Sequence, residues 1–235
     1  MSKDSSFYVR QTRNFKSFPV LVKVKESGLD FNLFGSGFHL LCHENSVSIL
    51  GSEITSLPLV KCKITFTDDI YLIVYNSYKI LLDAKVFSIS FFNLDILVAV
   101  FNDRHLFNIE QGTGKDQVED QEKEMWNGQE DSQPNGHRSI GLDLKFVNSL
   151  HVYGIPEHAT DYNLKSTKSF NATHTETLSE PYRLFNADVF EYILDSPMAL
   201  YGSVPFLLSH NARNSFGVLW FNAAEQWIDI ARSVY

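Results

Sequence analysis

The stretch from Lys61 to Phe101, KCKITFTDDIYLIVYNSYKILLDAKVFSISFFNLDILVAVF, decides the fold because apolar and polar residues alternate along most of it. It divides into five runs: KCKITFTD, DIYLIVYN, YKILLDAK, VFSISFFN and LDILVAVF. Alternation with a period of two, interrupted by short joints that contain Asp or Asn, is typical of β-strands connected by tight turns. Several strands at such close spacing predict an antiparallel β-sandwich or barrel.

The same pattern returns after residue 137. It predicts further strands in SIGLDLKFV, HVYGI, RLFNADVFEYIL, VPFLLSHN, FGVLWFN and WIDI. The segment AAEQWIDIAR allows either a turn of helix or a strand, because Trp227, Ile228 and Ile230 also suit a strand. Helical periodicity is weak almost everywhere else, so the sequence predicts an all-β domain.

Composition agrees with a folded domain that has a real core. The chain has 235 residues, of which 44% are apolar and 20% charged, and 19 are phenylalanine. An excess of aromatic residues favours strands over helices. All-β domains of this size often remain single. We therefore expect a polar N-terminal arm at 1–17 and one β-sandwich domain at 18–235.

The net charge of −8 is concentrated in one segment. Residues 110–137 contain eight acids and two lysines, and so contribute −6 of that total. Their Gln, Glu, Asp, Gly and Pro content predicts a disordered insertion between two strands, which Trp126 could anchor to the domain. An acidic chain does not suit nucleic-acid phosphates. No apolar run approaches the length of about 18 residues that a transmembrane helix needs, so no membrane partner is expected.

Two cysteines, Cys42 and Cys62, are too few for a disulfide framework. Either a single bridge between them or two buried free thiols is compatible with the sequence. The polar, basic start of the chain has no apolar segment of the secretory type.

The segment HVYGIPEH brings His151, Glu157 and His158 close together in sequence, and these residue types bind zinc. However, Gly154 and Pro156 exclude a helix between the two histidines, and neighbours on a strand point in opposite directions. We therefore expect a loop that binds no metal, and no cofactor. The chain also contains neither a G-x-S-x-G nucleophile motif nor a phosphate-binding loop.

Three acids, Asp188, Glu191 and Asp195, occur among aromatic and apolar residues in RLFNADVFEYILDS. If this segment is a strand, Asp188 shares a face with Phe190 while Glu191 points away, so the two acids are not an acid/base pair. A retaining glycosidase needs carboxyl groups about 5–5.5 Å apart. An Asp beside an aromatic ring suits a sugar, although spacing alone favours a solvated side chain.

Four segments resemble glycoside hydrolase family 31, in particular its α-glucosidases of the glucosidase II and neutral α-glucosidase types: HVYGIPEH, EPYRLFNADVFEY, SPMALYGSVPFLLSHN and FGVLWFNAAEQWIDI. The resemblance covers most of the chain and is densest over 139–230. It implies a galactose-mutarotase-like β-sandwich that precedes a catalytic TIM barrel. It also implies a retaining enzyme that removes terminal α-linked glucose from N-glycans, with carbohydrate as substrate and a regulatory β subunit as partner.

The resemblance also implies that the catalytic residues belong to the barrel and are not among these 235 residues. The family's nucleophile belongs to a W-x-D-M-N-E type motif, which this sequence lacks, and a barrel needs about 250 residues. We therefore expect an N-terminal fragment that is inactive alone. The matching positions of the family imply that Asp188 contacts the sugar at the mouth of the barrel and that Phe190 lines the same entrance. Glu191 and Asp195 are expected to face solvent.

Other features bear on location and on alternative functions. The resemblance implies the endoplasmic reticulum lumen, and Asn171-Ala172-Thr173 is an N-glycosylation sequon. The missing secretory signal, and the missing N-terminal cysteine pair of the glucosidase II type, leave the cytoplasm as the alternative. A stand-alone carbohydrate-binding module and an inactive truncated product are the alternative functions. The truncated product would expose an apolar patch, for which Trp220, Phe221 and Trp227 are candidates.

Overall fold

The computed structural model of the chain describes residues 5–8, 21–33, 36–44, 46–50, 58–111, 125–126, 129–130, 137–170 and 175–233. Throughout these ranges the only regular elements are β-strands. The strands are β1 (Ser5–Tyr8), β2 (Leu21–Lys25), β3 (Gly28–Leu33), β4 (Ser36–Cys42), β5 (Val47–Leu50), β6 (Lys63–Thr67), β7 (Ile70–Tyr75), β8 (Tyr78–Asp83), β9 (Ser88–Asn93), β10 (Ile96–Phe101), β11 (Asn108–Gln111), β12 (Met125–Trp126), β13 (Gln129–Glu130), β14 (His137–Gly141), β15 (Asp143–Phe146), β16 (His151–Gly154), β17 (Lys168–Phe170), β18 (Thr175–Thr177), β19 (Tyr182–Leu184), β20 (Phe206–His210), β21 (Ser215–Leu219) and β22 (Gln226–Ser233).

Some predicted features fall only partly within the described ranges. β1 lies inside the predicted N-terminal arm and pairs with both β15 and β22. Most of the predicted acidic insertion at 110–137 lies outside the described residues, as does Asn171 of the sequon, and both stay predictions. Within the described ranges no helix is long and apolar enough to cross a membrane.

Half of the described strands belong to one sheet of eleven, ordered β18-β17-β22-β1-β15-β10-β9-β8-β7-β6, with β19 also paired to β22. Four smaller sheets are β2-β3-β4-β5, β16-β20-β21, β11-β14 and β12-β13. Of the described strand pairs, only β17 with β22 is parallel. The prediction of an all-β, antiparallel architecture is therefore confirmed.

The five strands predicted between Lys61 and Phe101 are all present, as β6 to β10. Asp68 and Asn76 begin two of their turns with φ values of 51° and 49°. Asp and Asn enter this left-handed region more readily than other non-glycine residues, which is why they suit two-residue hairpin turns. The short Asp- and Asn-containing joints were thus an accurate guide to where each strand ends.

Strand register places the core on one face of the large sheet. Ile80 lies opposite Phe91, Phe91 opposite Ala99, and Ala99 opposite Phe146. Residues directly opposite in neighbouring strands point to the same face. Ala99 and Phe146 are fully buried, and Ile80 is 1% exposed. This face therefore carries a continuous apolar layer across the four strands β8, β9, β10 and β15.

Two hydrophobic clusters cover that face. The first joins Ile80 and its neighbours to Leu29 and Leu40 of the four-stranded sheet and to Ile109 of β11. The second joins the other end of the layer to the three-stranded sheet, and its buried members are Ala99, Leu144, Phe146, Val152, Ile155, Leu164, Tyr182, Leu184, Leu207, Ile228 and Ile230. Phe91 packs against both clusters. The fold is thus a two-layer sandwich whose second layer is built from separate small sheets.

One predicted strand is wrong. RLFNADVFEYIL is a strand only at its start, in β19, and residues 185–205 form a loop without regular secondary structure. After Leu184 the chain separates from β22. The backbone of the following segment forms hydrogen bonds with later residues of the same loop, and not with a neighbouring strand. The open choice at AAEQWIDIAR is settled, because that segment enters β22 as a strand.

We predict that Phe146→Ala lowers the free energy of unfolding by about 3–5 kcal/mol, because a fully buried ring leaves a cavity. Urea denaturation followed by fluorescence measures this loss. Phe221→Ala is the matched control, since that ring is 93% exposed, and it should change stability by less than about 0.5 kcal/mol. Equal losses in the two variants would contradict the assignment of the core.

Candidate functional site

The 185–205 loop folds back on itself at its base. The Ala187 amide donates to the Leu200 carbonyl at 2.8 Å. The Tyr201 hydroxyl donates to the Val189 carbonyl, also at 2.8 Å. These bonds join the outgoing and returning arms, and the exposed residues 190–195 lie between them.

A second segment, 156–159, holds the returning arm. The Glu157 amide donates to the Gly202 carbonyl at 2.8 Å, and the Gly202 amide donates to Glu157 Oε2 at 3.0 Å. The Val204 amide donates to the Pro156 carbonyl at 3.0 Å. Gly202 suits this contact, because a Cβ there would meet the Glu157 carboxyl carbon at 3.3 Å. The segment GIPEH therefore positions the loop.

His158 contributes a further bond to the loop. Its Nδ1 donates to the Met198 carbonyl at 2.9 Å, and its ring packs against Tyr182 at 5.1 Å between centroids. Burial lowers the pKa of His158, so the imidazole is neutral at physiological pH. Its Nε2 is buried and has no hydrogen-bond partner among the described residues. The side chain is therefore a structural donor.

Two of the three candidate zinc ligands in HVYGIPEH, Glu157 and His158, make these contacts with the loop. His151 is exposed on β16, opposite His210. The part of the chain that the structure describes contains no group of three or more His, Cys, Asp or Glu placed to hold a metal ion. The sequence suggested Glu157 and His158 as zinc ligands, and their role in positioning the 185–205 loop was not predicted. Gly154 and Pro156 gave the only hint, since they mark a shaped loop.

Asp195 is an exposed residue that is tied to a neighbouring segment. Its Oδ1 lies 2.8 Å from Lys165 Nζ, and its amide donates to the Ala159 carbonyl at 2.6 Å. The ion pair raises the pKa of Lys165. Such a solvent-exposed pair adds little stability but fixes where the loop tip lies. Asp195 faces solvent, as the sequence predicted, and its carboxylate also pairs with Lys165.

Asp188 and Phe190 are presented differently. Both are exposed, and Phe190 is 99% accessible to solvent. The Asp188 carboxylate has no hydrogen-bond or ion-pair partner among the described residues. Because they lie in a loop, the prediction that a strand separates Asp188 from Glu191 onto opposite faces is wrong. The site offers a free carboxylate two residues from a free aromatic ring, and Glu191 is exposed as expected.

An aromatic and cationic group lies at the start of the loop. Arg183 Nε bonds to Glu225 Oε1 at 2.6 Å. Its guanidinium lies over the rings of Phe185 and Trp227, 4.4 and 5.1 Å from their centroids. Such stacking holds planar groups in a fixed arrangement at the surface.

Further exposed apolar side chains occur on the loop and in the strands and connections that follow it. They are Phe185, Phe190, Tyr192, Ile193, Leu194, Tyr201, Val204, Phe206, Leu219, Phe221 and Trp227. Of the three residues expected in an exposed patch, Phe221 and Trp227 are exposed, whereas Trp220 is half-buried. We call these eleven side chains the apolar face. A concentration of this kind marks a surface that another structure covers.

The structure defines a domain of the antiparallel β-sandwich class. The chain belongs to the family described as the glycosyl hydrolase 31 N-terminal galactose mutarotase-like domain, whose profile matches residues 38–229. This match confirms the resemblance that the sequence motifs indicated, and it confirms the galactose-mutarotase-like fold.

Curated relatives agree with this assignment. The Glucosidase 2 subunit alpha of Schizosaccharomyces pombe is 43% identical over 139 residues, which is 57% of this chain and 15% of that protein. The Neutral alpha-glucosidase AB of Homo sapiens is 50% identical over 109 residues, covering 46% of this chain and 11% of that protein. The Glucosidase 2 subunit alpha of Saccharomyces cerevisiae is 32% identical over 82% of this chain and 20% of its own length. The chain thus spans a fifth or less of these relatives.

A solved structure supports the fold directly. The crystal structure of an ER glucosidase II heterodimeric complex, of catalytic subunit and the binding domain of regulatory subunit, superposes with a TM-score of 0.71. Sequence identity is 30%, over 93% of this chain and 29% of the solved one. The chain is therefore of the glucosidase II α type within the family.

We predict that Glu157→Ala speeds amide hydrogen exchange at Gly202 about five- to ten-fold, because its amide loses its carboxylate acceptor. Native-state exchange followed by NMR measures this rate. Glu157→Gln is the matched control, since its side-chain carbonyl can still accept the bond. Exchange at Gly202 that is unchanged in Glu157→Ala would show that the carboxylate does not hold the loop.

We also predict that the domain loses stability as the pH falls below about 6.5. The pKa of His158 is lowered in the folded state, so the unfolded chain binds the proton more readily, and acid favours unfolding. Stability is therefore complete above the ordinary histidine value and declines towards the folded-state pKa. Thermal melts between pH 5.5 and 7.5 measure the slope.

His158→Asn separates the titration of His158 from general acid sensitivity. The Asn amide can still donate to the Met198 carbonyl, but it does not titrate. The pH slope of His158→Asn should be shallower than that of the natural chain. Identical slopes would exclude His158 as the titrating group.

Proposed function

We propose that this domain serves as the N-terminal sandwich of an α-glucosidase of the glucosidase II type, which removes terminal α-linked glucose from N-glycans. The domain supports a catalytic barrel and supplies Asp188 and Phe190 to the entrance of the substrate site. The hydrolytic carboxylates belong to the barrel, so the 235-residue chain does not hydrolyse glucosides by itself.

The observation that carries the proposal is the pairing of an unpartnered carboxylate with an almost fully exposed ring on a loop that is otherwise fixed. A carboxylate accepts hydrogen bonds from sugar hydroxyl groups, and a ring packs on the apolar face of a sugar. Asp188 accepts no bond from any described residue, and Phe190 has almost its whole ring accessible. Because Glu157, Gly202 and the Tyr201 hydroxyl fix the arms of the loop, both groups are held ready for a ligand.

The apolar face supports the role of a barrel-bound domain. Tyr192, Ile193, Leu194 and Phe221 are each more than half exposed, which is unfavourable for a surface that stays in water. Covering them with the barrel removes that surface from water. The same contact brings Asp188 and Phe190, which belong to the same loop, to the edge of the barrel.

Location and partner follow from the same proposal. The similar solved complex is named as ER glucosidase II and contains the binding domain of a regulatory subunit. We therefore propose that this domain works in the endoplasmic reticulum lumen, in an enzyme that binds a regulatory β subunit. In that compartment Asn171 would be an acceptor for N-glycosylation.

The purified 235-residue chain should not release nitrophenol from p-nitrophenyl α-glucoside. Calorimetry with maltose tests the same chain as a carbohydrate-binding module. Binding at millimolar or lower concentration that weakens in Asp188→Ala would favour that alternative over the proposal. Turnover that is lost in Asp188→Asn would overturn the statement that catalysis needs the barrel.

The contribution of Asp188 is measured in a chimera in which this domain replaces the matching part of the S. pombe protein. Asp188→Asn should lower kcat/KM about ten-fold or more, because a charged acceptor for a sugar hydroxyl is lost. Glu191→Gln, another exposed acid of the same loop, is the control and should leave kcat/KM within about two-fold. Equal effects of the two substitutions would contradict a specific sugar contact at Asp188.

A further inference from the structure

Cys42 and Cys62 lie side by side although they belong to different layers of the sandwich. Cys42 ends β4 in the four-stranded sheet, and Cys62 immediately precedes β6 at the edge of the large sheet. The Cys42 amide donates to the Ser27 carbonyl at 2.9 Å, and the Cys62 amide donates to the Glu26 carbonyl at 3.1 Å. Both cysteines are therefore bonded to consecutive carbonyls of the turn between β2 and β3.

The side chains lie at the same boundary between the two layers. The Cys62 thiol donates to the Glu26 carbonyl at 3.6 Å, the same carbonyl that accepts from its own amide. Cys42 is fully buried in the hydrophobic cluster, and Cys62 is partly buried against it. A further bond, from the Val60 amide to the Cys42 carbonyl at 3.0 Å, joins the segment before Cys62 to the end of β4. The approach of the thiols is thus set by backbone hydrogen bonds on both sides.

We propose that Cys42 and Cys62 form a disulfide in the native domain when a low-molecular-weight disulfide such as oxidised glutathione is present. The bridge would tie the four-stranded sheet to the edge of the large sheet, across the layers of the sandwich. It would close the chain between residues 42 and 62 into a covalent loop. This inference does not depend on the proposed glucosidase role, since it needs only the two thiols and an oxidant.

The chemistry balances with one molecule of oxidised glutathione. The Cys62 thiolate attacks one sulfur of glutathione disulfide, breaks its S–S bond and releases the first glutathione as a thiolate. The Cys42 thiolate then attacks Cys62 Sγ in the mixed disulfide and releases the second glutathione. The two cysteines together lose two protons and two electrons, and the electrons reduce glutathione disulfide to two thiols.

The order of the two steps follows from exposure. Cys42 is inaccessible to solvent, whereas Cys62 is partly exposed. Burial raises the pKa of both thiols, so accessibility decides which thiol meets the external disulfide. Cys62 therefore reacts first with the external disulfide, and Cys42 is the resolving thiol.

The test begins with the reduced, folded 235-residue chain in a buffer of oxidised and reduced glutathione. Maleimide labelling and non-reducing peptide mapping should show loss of both thiols and one linked peptide that contains Cys42 and Cys62. The bridge should raise Tm by about 5–10 °C, as a loop of this length does in a domain of this size. Dithiothreitol should reverse the rise.

Single variants test the order. Cys42→Ser should accumulate glutathione on Cys62 with no rise in Tm, because the resolving thiol is missing. Cys62→Ser should leave Cys42 as a free thiol in the folded protein. Stable glutathionylation of Cys42 in that variant would overturn the assignment of the first step. The double variant, Cys42→Ser with Cys62→Ser, should have a Tm that is independent of glutathione.

A second treatment, in which the denatured chain folds in the same glutathione buffer, keeps the result decisive if native oxidation is slow. Two free thiols after both treatments would overturn the proposal. So would a linked peptide that comes from two different chains, or an intramolecular bridge that lowers Tm, because neither fits the observed packing.

Discussion

The core-facing side of the eleven-stranded sheet must be kept from water across its whole width, and the arrangement of the molecule follows from how this is achieved. Two hydrophobic clusters cover the two halves of the face, and Phe91 packs against both. The covering sheets have two to four strands each, and each has an apolar face that must be buried against another layer. The small sheets therefore depend on the large one for their existence, and Phe91 couples the two halves.

The candidate site is the part of the molecule that this burial does not fix directly. The 185–205 loop lies beyond the last residue of β19, and its outer side chains are exposed. Polar bonds take over there, since Glu157 holds Gly202 and His158 holds the Met198 carbonyl. β16, which leads to those two residues, and β20, which follows the loop, contribute Val152 and Leu207 to the second cluster. The site is thus connected to the core through one short loop, and its geometry rests on a few hydrogen bonds.

Apolar burial fixes the core strands, whereas a few hydrogen bonds fix the loop. This difference explains which elements the sequence could predict. The strands β6 to β10 are half-buried locally, so the alternation of apolar residues was enough to place them. RLFNADVFEYIL has a similar apolar content, and a strand was predicted throughout. Its conformation depends instead on bonds to residues 195–204, which no local pattern records. The exposure of Asp188 agrees with the solvated side chain that spacing alone favoured, whereas its sugar contact was implied only by the resemblance. The positioning roles of Glu157 and His158 were missed.

The acids of the loop also set a limit on how the apolar face can be covered. Asp195 already has Lys165 as a partner, whereas Asp188 has none among the described residues. Burying an unpaired carboxylate against apolar surface costs several kcal/mol, about as much as covering a few large side chains returns. A second domain that docks on Ile193, Leu194 and Phe221 must therefore stop short of Asp188 or present donors to it. The hydroxyl groups of a sugar are such donors, so the border between covered and open surface is where a saccharide would be held.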